Sequence, residues 1–354
     1  MDSTQYNTPA YQASVQKQTK KGISGSTIKI IAVITMLIDH VAAALLTRIV
    51  ISRGFFYAMG NEQRLIEWMK VNGLLLIVTQ LMRLIGRLGF PIFCFLLVEG
   101  FQKTRNVKKY AIRLGLFALI SEIPFNLALT GWVWDPEYQN VYFTLLIGIL
   151  ALWTFDNIAK LDPAKWIQVL LTVGGILLLP PRAALVVYNI VTGVLSFFAG
   201  FFGMGMGVYE RNLPLFGCAY IVCLGVMLTV WGIYRRKREY DKAWRMCGTM
   251  AALAVAMVAA DLLQTDYSGM GVLTIAVMYA LRKNKVGSMA GGCVTLTAMS
   301  LSEITAFFAL IPISLYNGER GLKMKYFFYI FYPAHLLIIW LICWAMGMGW
   351  ISAV

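Results

Sequence analysis

Residues 27–46 read TIKIIAVITMLIDHVAAALL. Apart from Lys29, two threonines and the adjacent pair Asp39 and His40, every side chain in this stretch is apolar. Twenty helical residues rise ~30 Å, the depth of a bilayer's hydrocarbon layer, so the stretch reads as a transmembrane helix. The segment before it, residues 1–26, is rich in Gln, Ser and Thr and carries Lys17, Lys20 and Lys21 near its end. It is too polar for the apolar region of a signal peptide and reads as a disordered cytoplasmic tail.

Beyond residue 46 the apolar pattern recurs. Further runs fall near 73–101, 110–129, 141–155, 166–180, 183–202, 213–233, 246–263, 267–281, 287–300, 303–316 and 326–346. Several are shorter than a straight crossing requires, which marks them as tilted, broken or re-entrant. Over 354 residues, 59% are hydrophobic and 14% charged, with a mean hydropathy of +0.69. A soluble domain carries roughly 25% charged residues. So few charges cannot cover a surface in water, and the balance excludes a disordered protein, a coiled coil and a secreted disulfide scaffold. The expected fold is all-α, a polytopic transmembrane helical bundle. One domain covers 27–350, with about 10–12 spans.

Lys and Arg number 31 against 17 Asp and Glu, a formal net charge of +14. The excess sits in short loops: 103–113 (KTRNVKKYAIR), 234–245 (YRRKREYDKAWR), 282–285 (RKNK) and 319–325 (ERGLKMK). This is the pattern of a multi-pass protein of the cell membrane with its basic loops and N-terminus in the cytoplasm, and it makes lipid rather than nucleic acid the partner. The loop 131–140 (GWVWDPEYQN) has acids, aromatics and no base, and is expected to face outward. Simple alternation would put 234–245 outside if every run between 166 and 233 crossed. The segment 183–210, which contains FFAGFFGMGMG, is therefore expected to be re-entrant or interfacial.

Six cysteines fall in or beside apolar runs without the short spacing of a zinc or iron–sulfur site. Two histidines, His40 and His335, cannot build a multi-histidine metal site in one chain. No metal and no disulfide are expected.

Ionisable groups within a bilayer are costly and mark functional sites. His40 lies eleven residues after Lys29, hence ~16 Å further along the helix, deep in the membrane. An imidazole there is a neutral base or a hydrogen-bonded structural group. The second apolar region contains RLIGRLGFPIFCFLLVEGF, residues 83–101. Arg83 and Arg87 share a helical face, and Pro91 is expected to bend or break the helix. The two arginines need anions, supplied by Glu99, Glu122, Asp39 or a ligand phosphate. Glu122 and Asn126 flank Pro124 in LISEIPFN. Asp266 precedes Tyr267 in DYSGMGVL, where it is expected to cap a helix. Asn317 lies in YNGERG, and His335 follows Pro333 in the aromatic run YFFYIFYPAHLL. These are candidate substrate-facing or structural polar residues.

The ordered series LIDH, RLIGRLGFPIFCFLLVEGF, RNVKKY, LISEIPFN, NVYFTLLIG, DYSGMGVL, YNGERG and YFFYIFYPAHLL resembles the TraX family of membrane proteins and runs from about residue 27 to 345. Residues 165–250 carry no such match. The name-giving member of that family is associated with N-terminal acetylation of conjugative pilin. The family is also similar to a wider group of membrane acyltransferases whose first helix carries a basic residue, ten intervening residues and a histidine. Lys29 and His40 have that spacing.

The resemblance implies an acetyl-CoA-dependent N- or O-acetyltransferase. Its donor would be cytoplasmic acetyl-CoA, and its acceptor an extracytoplasmic or membrane-associated amine or hydroxyl. His40 is then the acyl-transfer base, with Asp39 orienting it. Lys29, Arg83, Arg87, Lys103, Arg105, Lys108 and Lys109 are the cations available to the CoA phosphates. The competing reading is a proton-coupled transporter or flippase using Asp39, His40, Arg83 and Arg87. A purely structural role for the buried polar groups is the third.

Overall fold

The structure is a computed structural model describing residues 21–201, 213–322 and 325–353. Among these residues it is helical throughout, with two isolated backbone bridges, Ile23 to Tyr316 and Gln139 to Thr265. Helix α1 spans Gly25–Ser52. Ser24 caps it by accepting a hydrogen bond from the Thr27 backbone N–H. Directly after His40 the helix widens into a π-turn over Val41–Leu46 before returning to α geometry. Such insertions are rare and recur at functional sites.

A short α2 (Phe55–Met59) leads to α3 (Glu62–Gly86). The chain breaks at Arg87 and Leu88 and resumes as α4 (Gly89–Lys103). Pro91 explains the break: its ring would clash with the carbonyl of Arg87, four residues back, whereas in the first turn of a new helix its missing N–H costs nothing.

The bundle continues with α5 (Val107–Leu129), α6 (Val141–Lys160), α7 (Lys165–Phe201), α8 (Leu213–Arg236) and α9 (Tyr240–Leu262). Then come α10 (Ser268–Ala280), α11 (Lys285–Met299), a 3-10 segment Leu301–Ala309 running into α12 (Leu310–Ser314), and α13 (Lys325–Ala345). Among the described residues eight helices are long and apolar enough to cross a membrane, α3 and α4 counting as one. The protein is a multi-pass membrane protein. The eight long helices fall below the ten to twelve spans read from the sequence, because α10, α11 and the 3-10/α12 segment are short.

The segment 183–210 requires a correction. Its described part is the second half of α7, continuous through Pro180 and Pro181, and residues 202–212 lie outside the described part. The runs 166–180 and 183–202 are thus one crossing rather than two. With that single change every basic loop falls at one end of the bundle. Residues 21–26, read as the end of the tail, are also built into the fold: Ile23 N–H donates to Leu315 O at 2.9 Å and Gly25 N–H to Glu319 O at 2.7 Å. Residues 1–20 lie outside the described part.

Large buried apolar residues from α1, α4, α5, α6, α10, α11 and α13 form one core, including Ile28, Ile92, Ile149, Ile275, Met278 and Leu336. Outward faces remain apolar, as at Leu177 on α7 and Ile221 on α8, and meet lipid. At the basic end, Lys285 reaches the Ser314 carbonyl at 3.3 Å, so α11 and α12 begin and end together as a hairpin. Each arm of that hairpin rises only ~20 Å. Its turn therefore lies at mid-depth rather than at the far surface.

Candidate active site

The two histidines, 295 residues apart, meet in the bundle: His40 Nδ1 and His335 Nε2 are 2.6 Å apart. Their rings meet edge to edge and nearly coplanar, with centroids 4.9 Å apart and planes 12° from parallel. His335 Nδ1 lies 2.7 Å from the Phe331 carbonyl oxygen one turn earlier on α13. A carbonyl oxygen only accepts, so His335 Nδ1 carries the proton. Its Nε2 then holds a lone pair and accepts from His40 Nδ1–H. The remaining nitrogen, His40 Nε2, keeps its lone pair. The backbone of α13 thereby selects the tautomer of a ring on α1, leaving a base with its second nitrogen anchored.

Asp39 does not orient this base. Its carboxylate turns to α3, where Arg83 donates to Oδ2 at 2.6 Å. His335 takes the orienting role the sequence reading gave to Asp39, because adjacent helical residues diverge by about 100°. Gly86 makes the Asp39 pairing possible: a Cβ there would overlap the Asp39 side chain. Arg87, at the break between α3 and α4, pairs at 2.8 Å with Glu303 at the turn of the α11–α12 hairpin. The Tyr267 ring stacks on Phe90 with centroids 3.6 Å apart.

Asp266 is not the N-cap of α10. That position belongs to Tyr267, which offers no side-chain cap. Instead the Tyr138 hydroxyl donates to Asp266 at 3.3 Å. The loop holds Gln264, Tyr267 and Ser268 at positive φ, a strained backbone of the kind that gathers at functional sites. Burial, and next the Asp39 charge, push the Asp266 carboxyl up to about 6.

From the basic end a cavity of about 420 Å³ enters the bundle. Lys29, Lys103, Arg113 and Arg320 supply cations along it, and Tyr142 and Tyr329 line it. Tyr142 packs edge-on against Tyr332 at 4.9 Å. Tyr332 in turn lies 5.8 Å from both His40 and His335. One aromatic ring thus separates the cavity wall from the histidine pair. A second cavity of about 350 Å³ shares Glu99, Lys103 and Tyr316 with the first and adds Arg282, Lys285 and Asn317.

Of the cations anticipated for an anionic ligand, Lys29 and Lys103 line the cavity, Lys103 pairing with Glu99 at 2.7 Å. Arg83 and Arg87 are instead held by carboxylates at the depth of His40. Arg105, Lys108 and Lys109 are exposed at the start of α5, outside both cavity linings. Glu122 and Asn126 join Asn140 in a buried network, with Asn140 Nδ2 donating to Glu122 at 2.5 Å. Asn140 also caps α6 by accepting from Tyr142 N–H at 3.0 Å.

Arg113, Arg320, Glu303 and Tyr332 were not singled out by sequence reasoning. Glu303 had a usable signal, a lone acid inside the apolar run 303–316. Tyr332 had none, lying among five other aromatic residues in 326–332.

The fold and site define a polytopic helical membrane protein with a buried, tautomer-fixed histidine pair beside a basic-mouthed cavity. Comparison with known families narrows this. The family described as TraX protein matches residues 24–222 and 184–343, and the chain belongs to it. It is also similar to the probable fimbrial assembly protein FimC, serogroup H1, of Dichelobacter nodosus, at 32% identity over 136 residues. That alignment covers 36% of this chain and 45% of the relative, so the chain spans under half the length of this curated relative. No solved structure matches the chain.

Proposed function

We propose that the protein is an acetyltransferase of the cell membrane. It would carry an acetyl group from cytoplasmic acetyl-CoA to an amine or hydroxyl at or beyond the membrane, such as a pilin-like N-terminus, a surface glycan or a small molecule. The observation that carries this reading is the His40–His335 pair, one ring away from a basic-mouthed cavity. Membership of the TraX family and the Lys29–His40 spacing support it. Similarity to a protein named for fimbrial assembly is compatible with a surface acceptor.

In this mechanism the basic end faces the cytoplasm, as the distribution of Lys and Arg favours. The CoA phosphates bind at Lys29, Lys103, Arg113 and Arg320, and the pantetheine arm follows the aromatic wall inward. His40 Nε2 takes the proton of the attacking amine or hydroxyl, while its Nδ1–H is held by His335. The new bond to the acetyl carbon forms, the carbon–sulfur bond breaks, and the departing thiolate receives the proton from His40. CoA itself stays on the cytoplasmic side.

The test uses the full chain in proteoliposomes supplied with acetyl-CoA and an extract of the host's surface molecules. Wild type is expected to release CoA thiol and label an acceptor seen by mass spectrometry. His40→Ala is expected to stay folded and lose this release. Full turnover by His40→Ala would remove the base from the mechanism, and absence of turnover and of acetyl-CoA binding in wild type would end the acyltransfer reading.

A further inference from the structure

Tyr332 is 3% exposed, and its hydroxyl has no hydrogen-bond partner among the described residues. A buried hydroxyl without a partner is costly, and in a membrane interior no bulk water offsets it. Packing alone does not account for this one. A phenylalanine would fill the same space between His40, His335 and Tyr142 and would bring no polar atom. The polar groups whose charge acts on the hydroxyl are Asp266, Tyr142, Tyr138 and Glu122. None of them bonds it. Asp266 accepts from Tyr138, and Glu122 is taken up by Asn140 and Asn126. Tyr138 and Tyr142 keep their own hydroxyls off Tyr332. The oxygen is therefore a donor held ready, with its ring against both histidines and against the cavity wall.

We propose that Tyr332 is a catalytic residue of the acyl-transfer reaction: its O–H donates to the thioester carbonyl oxygen and holds the oxyanion that forms there. The inference rests on the acetyltransferase reading above. As the nucleophile attacks, the carbonyl π pair moves onto oxygen, and Tyr332 O–H supplies the hydrogen bond that receives it. When the pair returns, the carbon–sulfur bond breaks and the thiolate leaves with the proton from His40. Tyr332 keeps its own proton throughout, so no further donor or acceptor is needed. The arrangement assigns the electrophilic role to α13, which also carries His335.

The experiment is isotope-edited infrared spectroscopy of acetyl-CoA labelled with carbon-13 at the carbonyl, bound to the full chain in nanodiscs. Wild type is expected to shift the thioester carbonyl stretch to lower wavenumber than in solution. Tyr332→Phe is expected to bind acetyl-CoA and return the band to its solution position. His40→Ala is expected to keep the lowered band. In turnover, Tyr332→Phe is expected to lose ~10²–10³-fold in kcat with little change in KM for acetyl-CoA. Its melting temperature is expected to equal or exceed that of wild type, because no native hydrogen bond is removed. A lowered band that survives in Tyr332→Phe, or a wild-type band that does not move on binding, overturns this assignment and leaves the acetyltransferase reading standing. Absence of acetyl-CoA binding by wild type overturns both.

Discussion

Arg48, near the C-terminal end of α1, makes no ion pair with a carboxylate among the described residues. It is fully buried, and its guanidinium donates to the carbonyls of Leu127 at 3.0 Å, Ala128 at 2.5 Å and Ile351 at 2.6 Å. The first two are carbonyls at the end of α5 that lack a helical partner, and the macrodipole favours a cation there. Arg48→Met is expected to lower stability by on the order of 2–4 kcal/mol, read as a fall in melting temperature in detergent. Arg48→Lys recovers little of it, because an ammonium cannot reproduce the planar fork.

His335 gives a second expectation at this scale. His335→Phe removes the acceptor for His40 Nδ1–H and is expected to lower kcat ~10²-fold. His335→Gln, whose carbonyl oxygen can accept, restores part of the rate in the same thiol-release assay.

Asp266 titrates in the opposite sense to most surface acids. Its carboxyl is raised to about 6 in the fold, against 3.8 ordinarily. Between those values the folded state binds more protons than the unfolded, so stability falls as pH rises from about 4 to about 6. Asp266→Asn is expected to flatten that part of the melting-temperature profile. Its polar neighbours Tyr138, Asp39, Arg83 and Arg87 stay in place.

Among the elements, the junction of α1 with α3 and α4 organises the site. The helix break four residues before Pro91 was readable from the sequence, since proline's geometry dictates it locally. So was a need for anions beside Arg83 and Arg87. The choice of Asp39 for one and Glu303 for the other was not, because it depends on how the α11–α12 hairpin returns toward α4. The meeting of His40 with His335 was invisible for the same reason. Each lies in an apolar helix whose rotation is set by packing, and nothing local says which way the ring points.

Gly86 offers a direct check on the junction. Gly86→Ala would push a methyl group into the Asp39 side chain. It is expected to cost about 1–3 kcal/mol by forced displacement and to break the Asp39–Arg83 pair, seen as a lower melting temperature. At α7 the sequence misled in a different way. The runs 166–180 and 183–202 read as two segments, yet α7 continues through Pro180 and Pro181, and Gly175 permits α7 to pack with its backbone against Cys247 of α9. A small residue at a helix crossing is a common device in membranes.

Across the whole molecule, composition alone made the helical membrane class legible, since the requirement for internally satisfied backbone leaves few alternatives. The count of spans was overestimated because short apolar runs look alike whether they cross or turn back. The bundle gathers the loops 103–113, 234–245, 282–285 and 319–322 at one end and 131–140 at the other. A cysteine introduced at Thr104 is expected to react with a membrane-impermeant maleimide only after cells are permeabilised. One introduced at Glu137 is expected to react in intact cells. The reverse pattern would invert the proposed orientation and the side from which the donor enters.

The hairpin of α11 and α12 stops at mid-depth, where Glu303 holds Arg87. The charges of Glu303 and Arg87 therefore sit inside the layer across which the voltage of an energised membrane falls. Each elementary charge crossing the full drop is worth ~2.3 kcal/mol per 100 mV. A proton picked up from one face and delivered to a leaving group on the other would move along that gradient, coupling turnover to the energetic state of the cell.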